Sequence, residues 1–225
     1  MQPFAITAVV VYKGVMDLLQ EKELVNSAKS GDKEAFGLLF DDNYGKIYGY
    51  ILKRTGNVAL TDDLTSDTFF KALTNLKKFR WQGIPFSSWL YKIATNEING
   101  FFKKNKAHPL SLNKISEDNG REPENFRTPE SEIMEMQEEI ERHDFYLLVL
   151  KEMKQLKIKY QEVLSLRFFE KKKINEIAQI LGKREGTVKS LLSRGIDKLK
   201  VKLEKTENLQ PFSDSEVIKT KEEKI

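Results

Sequence analysis

Three groups of side chains in this sequence have types and spacings that could do chemistry. Lys92, Asn96, Asn99 and Lys103 recur at i, i+4, i+7 and i+11, which on a helix is a single line of two amides and two ammonium groups. Amides suit base edges and ammonium groups suit phosphates, so the line fits a nucleic-acid track. Just before it, Phe79, Arg80 and Trp81 lie in the turn-rich segment "KFRWQGIP". Aromatic side chains exposed there could stack an unpaired base for about 1–3 kcal/mol. The third group is Thr187, Lys189, Ser190 and Arg194 in "EGTVKSLLSRGIDKL", basic and hydroxyl residues near a helix start, where the macrodipole also favours phosphate.

Catalysis finds little to work with. Asp62, Asp63 and Asp67 stand within one turn of each other, but no partner base or metal-type cluster accompanies them. Their ordinary use is to complement the dipole of a helix start. The chain has no cysteine, which excludes disulfides, thiol catalysis and cysteine-built zinc sites. Its two histidines, His108 and His143, are 35 positions apart and form no triad or metal pair. The residues therefore call for no enzyme activity, no metal, no cofactor and no small-molecule substrate. No nucleotide-binding loop is present either. With DNA stacking near 1.4 kcal/mol per step on average, a chain that captures one or two bases cannot melt a duplex alone.

The elements that must position these groups are helical. A first helix is predicted over roughly 17–30, stopping at Gly31. Asp32 caps a second, which places Phe36, Leu39, Phe40, Ile47 and Ile51 inward before Gly56. A third begins at Thr61 or Asp62, with Leu64, Thr68, Phe69, Ala72, Leu73 and Leu76 inward. The fourth, from 86 to about 105, buries Trp89, Leu90, Ile93, Ala94, Ile98 and Phe101. After a break come helices over about 130–152 and 157–169. A hairpin follows, in which Ile174, Ile177, Ala178 and Leu181 form one stripe and Val188, Leu191, Leu192, Ile196 and Leu199 the next. Gly182 sits at the corner, where a left-handed residue can end a helix. A tight turn followed by a helix with a polar outer face meets the needs of a helix-turn-helix. A plain helical hairpin with a solvated face fits the same spacing.

Charge follows this division. Residues 71–108 hold eight Lys or Arg against one acid, a balance of +7, and residues 183–205 hold eight against three, or +5. Between them, residues 130–144 carry seven acids against one base, or −6. Two separated basic blocks suit a polyanion met at two places. The expected architecture is all-α, two small helical domains joined by a flexible linker, the second containing the helix-turn-helix. Residues 17–106 form the first domain, 107–129 the linker with three of the six prolines, 130–205 the second domain, and 206–225 a polar, disordered tail. "PFAITAVVVY" at the N-terminus is too short to span a bilayer, which needs roughly twenty apolar residues, and lacks the flanks of a signal peptide. It reads as an extension, 1–16, ahead of a soluble start at Met16, so the chain is expected to be a cytoplasmic protein and not a membrane protein.

The order "EVLSLR", "EIAQILG", "EGTVKS" and "LSRGIDKL" within 160–200 resembles the C-terminal domain of bacterial sigma factors of the extracytoplasmic-function, or group-four, type. "TDDLTSDTFFKALTNLKKF" (61–79) is similar to their polymerase-docking helix, and "FSSWLYKIATNEINGFFKKNK" (86–106) to their promoter-melting helix. The resemblance covers about residues 18–205. It implies a sigma factor that binds core RNA polymerase through Asp62, Asp63 and Asp67. The 17–106 domain would act as region 2, meeting the minus-ten element with Phe79, Arg80, Trp81, Lys92, Asn96, Asn99 and Lys103. The 130–205 domain would act as region 4, meeting the minus-thirty-five element with Arg184, Glu185, Thr187, Lys189, Ser190 and Arg194. Promoter DNA and core polymerase are the implied partners, and an anti-sigma factor is a further one. Where family members often carry Arg, His and Arg, this chain has Leu191, Ser193 and Ile196, which implies weaker phosphate anchoring. A helix-turn-helix regulator that never joins polymerase is the alternative; it leaves Asp62, Asp63, Asp67 and the 86–106 helix without a purpose.

Overall fold

The computed structural model describes residues 17–104 and 129–206. The N-terminal extension, most of the linker and the tail lie outside the described residues. Four helices make the first group: α1 (Leu18–Lys29), α2 (Lys33–Thr55), α3 (Val58–Asn75) and α4 (Phe86–Lys104). Asp32 caps α2 as expected, its Oδ1 accepting the amides of Glu34 at 2.9 Å and Ala35 at 3.1 Å. The start of α3 differs from expectation. Asn57 is the cap, with Oδ1 accepting the Leu60 amide at 2.9 Å, so the helix begins at Val58, before the apolar stripe does. α2 packs against α1, α3 and α4, and α4 also lies on α3. Leu39, Ile47, Ile51, Ala72, Phe86, Leu90, Ala94 and Ile98 form the buried centre.

The second group contains α5 (Pro129–Lys154), α6 (Ile158–Leu164), a π-helical turn (Ser165–Phe169), α7 (Ile174–Leu181) and α8 (Glu185–Thr206). Pro129 is the first residue of α5, where its missing N–H costs nothing. The predicted helix over 157–169 is thus an α-helix that widens in its last turn. α7 ends at Gly182, left-handed at φ 61°, and the Lys183 amide returns to the Ala178 carbonyl at 2.9 Å. This fixes the sharp corner before α8. α8 packs on α5, α6 and α7 through Val188, Leu191 and Leu192. Gly195 is buried at the crossing with α6, where a Cβ would come 3.3 Å from the Leu164 side chain. Only a residue without a side chain leaves α6 and α8 this close.

The two groups also touch. α7 lies along α4, and the π-helical turn meets α2.

Candidate nucleic-acid interface

Lys92, Asn96 and Lys103 are exposed along one side of α4, while Asn99 in the same line is half-buried. The fixed pitch of α4 follows from its opposite face, where Leu90, Tyr91, Ala94 and Ile98 are buried. Within that face Tyr50 Oη and Thr95 Oγ1 hydrogen-bond at 2.9 Å. Burial pushes both phenols, Tyr50 and Tyr91, well above the usual tyrosine pKa, so both act as neutral hydrogen-bonding groups.

The loop before α4 separates its three candidates. Arg80 is exposed and Trp81 is half-buried. Phe79 is only 8% exposed, and this corrects the expectation of an exposed platform. It joins a cluster with Trp89 at 5.0 Å, Phe86 at 5.4 Å and Trp81 at 6.3 Å between ring centroids. A short 3₁₀ turn, Leu76–Lys78, carries the chain into the core at this point. α1 holds the loop at both ends. The Lys29 ammonium donates to the Phe79 carbonyl at 2.9 Å, and Glu21 accepts the Phe86 amide at 2.9 Å. Burial raises the Glu21 pKa above the usual carboxylate value, against the lowering effect of that amide.

On α3, Asp62, Asp63 and Asp67 are all exposed. Sequence reasoning missed what lies among them: Phe70 is 66% and Leu73 52% exposed on the same helix. Leu73 was expected inward and is corrected here, because Phe69 and Ala72 already fill the inner face. The adjacent pair Phe69–Phe70 was the available signal, since neighbours on a helix cannot both face the core.

In the second group, Arg184, Glu185, Thr187, Lys189 and Arg194 are exposed and Ser190 half-buried. All lie in the turn before α8 or in its first three turns. Arg194 is folded onto its own helix, its Nε donating to the Ser190 carbonyl at 3.3 Å and its guanidinium also meeting the Ser190 hydroxyl. Among the described residues no cluster of three or more His, Asp or Glu could hold a metal, and no helix is long and apolar enough to cross a membrane.

Contacts between the two groups were not foreseen. Glu170 accepts from the Tyr91 hydroxyl at 2.6 Å and from Lys53 at 3.0 Å. Lys172 donates to Ser87 at 2.9 Å and lies 4.8 Å above the Tyr91 ring; loss of solvation lowers its pKa. The Asn99 amide donates to Glu162 at 2.7 Å.

These features define a two-part helical protein with a helix-turn-helix in its second part. The chain matches the family model for Sigma-70 region 2 over residues 39–108 and that for Sigma-70, region 4 over 146–199. It is 30% identical to the RNA polymerase sigma factor YlaC of Bacillus subtilis over 169 residues, 75% of this chain and 91% of that one. To the ECF RNA polymerase sigma factor BldN of Streptomyces coelicolor it is 32% identical over 181 residues, 80% of this chain and 64% of that relative. Its fold is like that of CnrH, solved in complex with the cytosolic domain of CnrY, with a TM-score of 0.58 and 22% identity over 83% of this chain and 99% of that one. The chain belongs to the sigma-70 family of RNA polymerase sigma factors, in its ECF group.

Proposed function

We propose that this protein binds core RNA polymerase and directs promoter-specific initiation, with α4 and its preceding loop reading the minus-ten element and α8 the minus-thirty-five element. The observation that carries this over a stand-alone regulator is the outer face of α3. There three carboxylates surround exposed Phe70 and Leu73. Such a face repels DNA and suits a protein partner with basic and apolar groups. A regulator working only through α8 has no use for it.

In this reading Asp62, Asp63 and Asp67 dock on polymerase, joined by Phe70 and Leu73. Lys92 and Lys103 hold phosphates, Asn96 and Asn99 meet base edges, and Arg80 with Trp81 flanks a base that the assembled complex has opened. Phe79 supports that loop from inside and does not stack a base. In the second domain, Arg184, Lys189 and Arg194 supply cations, and Glu185, Thr187 and Ser190 supply polar groups towards the major groove. The chain contributes binding and no reaction of its own. Two weak contacts held at once give an avidity that neither reaches alone. CnrH, the neighbour of known structure, is bound to the cytosolic domain of CnrY. By analogy an inhibitory protein partner of the anti-sigma kind, and a cytoplasmic site of action, belong to this proposal.

The test is transcription from a genomic promoter library by core polymerase with this protein added. New start sites are expected. Asp63→Arg should remove core binding while leaving the circular-dichroism spectrum unchanged, and Arg194→Ala should weaken use of the upstream element with core binding intact. Absence of both core binding and new starts would overturn the reading.

A further inference from the structure

The face of α4 that carries the amide line has an occupant within this chain, and its chemistry is unusual for one. Three acids of the second group, Glu162, Glu170 and Glu176, are buried at 4–11% exposure or thereabouts in a domain whose other charges face solvent. A buried carboxylate is costly unless it is paired and hydrogen-bonded. Glu162 and Glu170 find those partners across the gap, on α2 and α4. Glu170 takes the Lys53 ammonium at 3.0 Å and the Tyr91 hydroxyl at 2.6 Å, and Glu162 takes the Asn99 amide at 2.7 Å. Lys172 completes the contact on Ser87 and Tyr91.

We propose that α6, the π-helical turn and α7 close over α4 in the free protein, with Glu162 and Glu170 taking donors that single-stranded DNA would otherwise meet. The DNA half of this statement rests on the reading of α4 given above; the closure itself does not. While α6 is in place, Asn99 cannot reach a base edge. The closed form is also incompletely satisfied. Asn99 Oδ1 is buried without a partner among the described residues, as are Nε and Nη2 of Arg54, a side chain only 2% exposed beside Tyr50. Unpaired buried groups weaken a contact that is otherwise polar, and polar interdomain contacts are the kind that open. Closure is therefore a shallow state that a tighter partner displaces, and any ligand of the open form binds with an affinity reduced by the closed fraction.

Because the chain has no cysteine, labels can be placed without background. Dyes on Lys33→Cys and Lys198→Cys, both exposed positions outside the proposed interfaces, report the separation of the two domains. The native chain should give one short, narrow distance. Glu162→Gln with Glu170→Gln should broaden and lengthen it, with the helical circular-dichroism signal retained. A native chain that already shows a broad distribution would overturn closure, whatever its activity with polymerase. Occlusion is read with a mixed-sequence single-stranded 20-nucleotide DNA at low salt. The double Gln variant should bind it about ten-fold more tightly than the native chain. The charge-matched control Glu23→Gln with Glu34→Gln, at exposed positions on α1 and α2, should not. A chain cross-linked by a short bismaleimide through Ser87→Cys and Lys172→Cys should bind least. Equal binding by the double variant and the control would overturn occlusion; the transcription assay judges the sigma reading separately.

Discussion

At the scale of single residues, Phe79 and Arg80 show how neighbours in one loop do unlike work. Phe79 is locked among Phe86, Trp89 and Trp81, so Phe79→Ala should cost about 3–5 kcal/mol of stability in urea unfolding. Arg80→Ala should fall within about 0.5 kcal/mol of native and weaken only promoter opening. Glu21 gives a pH test. Its folded pKa is raised, mainly by burial, so the folded state keeps a proton that the unfolded state releases first. Stability from this group is present at low pH and lost as pH rises from the unfolded value, about 4.3, through the raised folded one. Glu21→Gln retains an acceptor for the Phe86 amide and removes the buried charge. Its melting temperature should exceed the native one at pH 7, and the difference should vanish towards pH 4. The polar types on α4 and α8 were legible in the sequence because helical spacing alone lines them up. Phe79 was not, since only the path of the chain after the 3₁₀ turn decides which of three loop residues enters the core.

At the scale of elements, capping signals told most. Asp32 and Gly182 act where their types suggest, and the apolar stripes of α4, α7 and α8 face inward. α3 was misjudged at its start because Asn57 caps ahead of the apolar pattern, and at Leu73 because four inward positions were already filled. The widening of the chain at Ser165–Phe169 has no local signature; it depends on what α2 and α7 present to it. Gly195 carries a sharp prediction. Its Cβ position lies 3.3 Å from Leu164, so Gly195→Leu forces α6 and α8 apart. We expect a loss of about 1–3 kcal/mol by urea unfolding and weaker binding to minus-thirty-five duplexes, with core binding unchanged.

At the scale of the whole molecule, the two helical groups and their division were legible from periodicity and from the charge reversal between blocks. Their contact was not. Glu162, Glu170 and Lys172 belong to residue types that ordinarily face water, and nothing in their spacing names partners some 60 to 120 positions away on α2 and α4. Closure also predicts a response to the proposed docking partner. Adding core polymerase to the chain labelled at Lys33→Cys and Lys198→Cys should lengthen the interdye distance, and Asp63→Arg should prevent that change. A distance unmoved by core polymerase in a chain that still initiates would separate opening from docking.

The two bonds by which α1 grips the loop ends, Lys29 to the Phe79 carbonyl and Glu21 to the Phe86 amide, give that helix a role its own sequence does not advertise. It serves as a fixed jaw. Arg80 and Trp81 arrive at DNA on a segment whose two roots are already immobilised, so little freedom is left to lose when a base is caught. A chain shortened past Lys29 would keep every DNA-facing side chain and still catch bases slowly, because its grip would first have to be assembled.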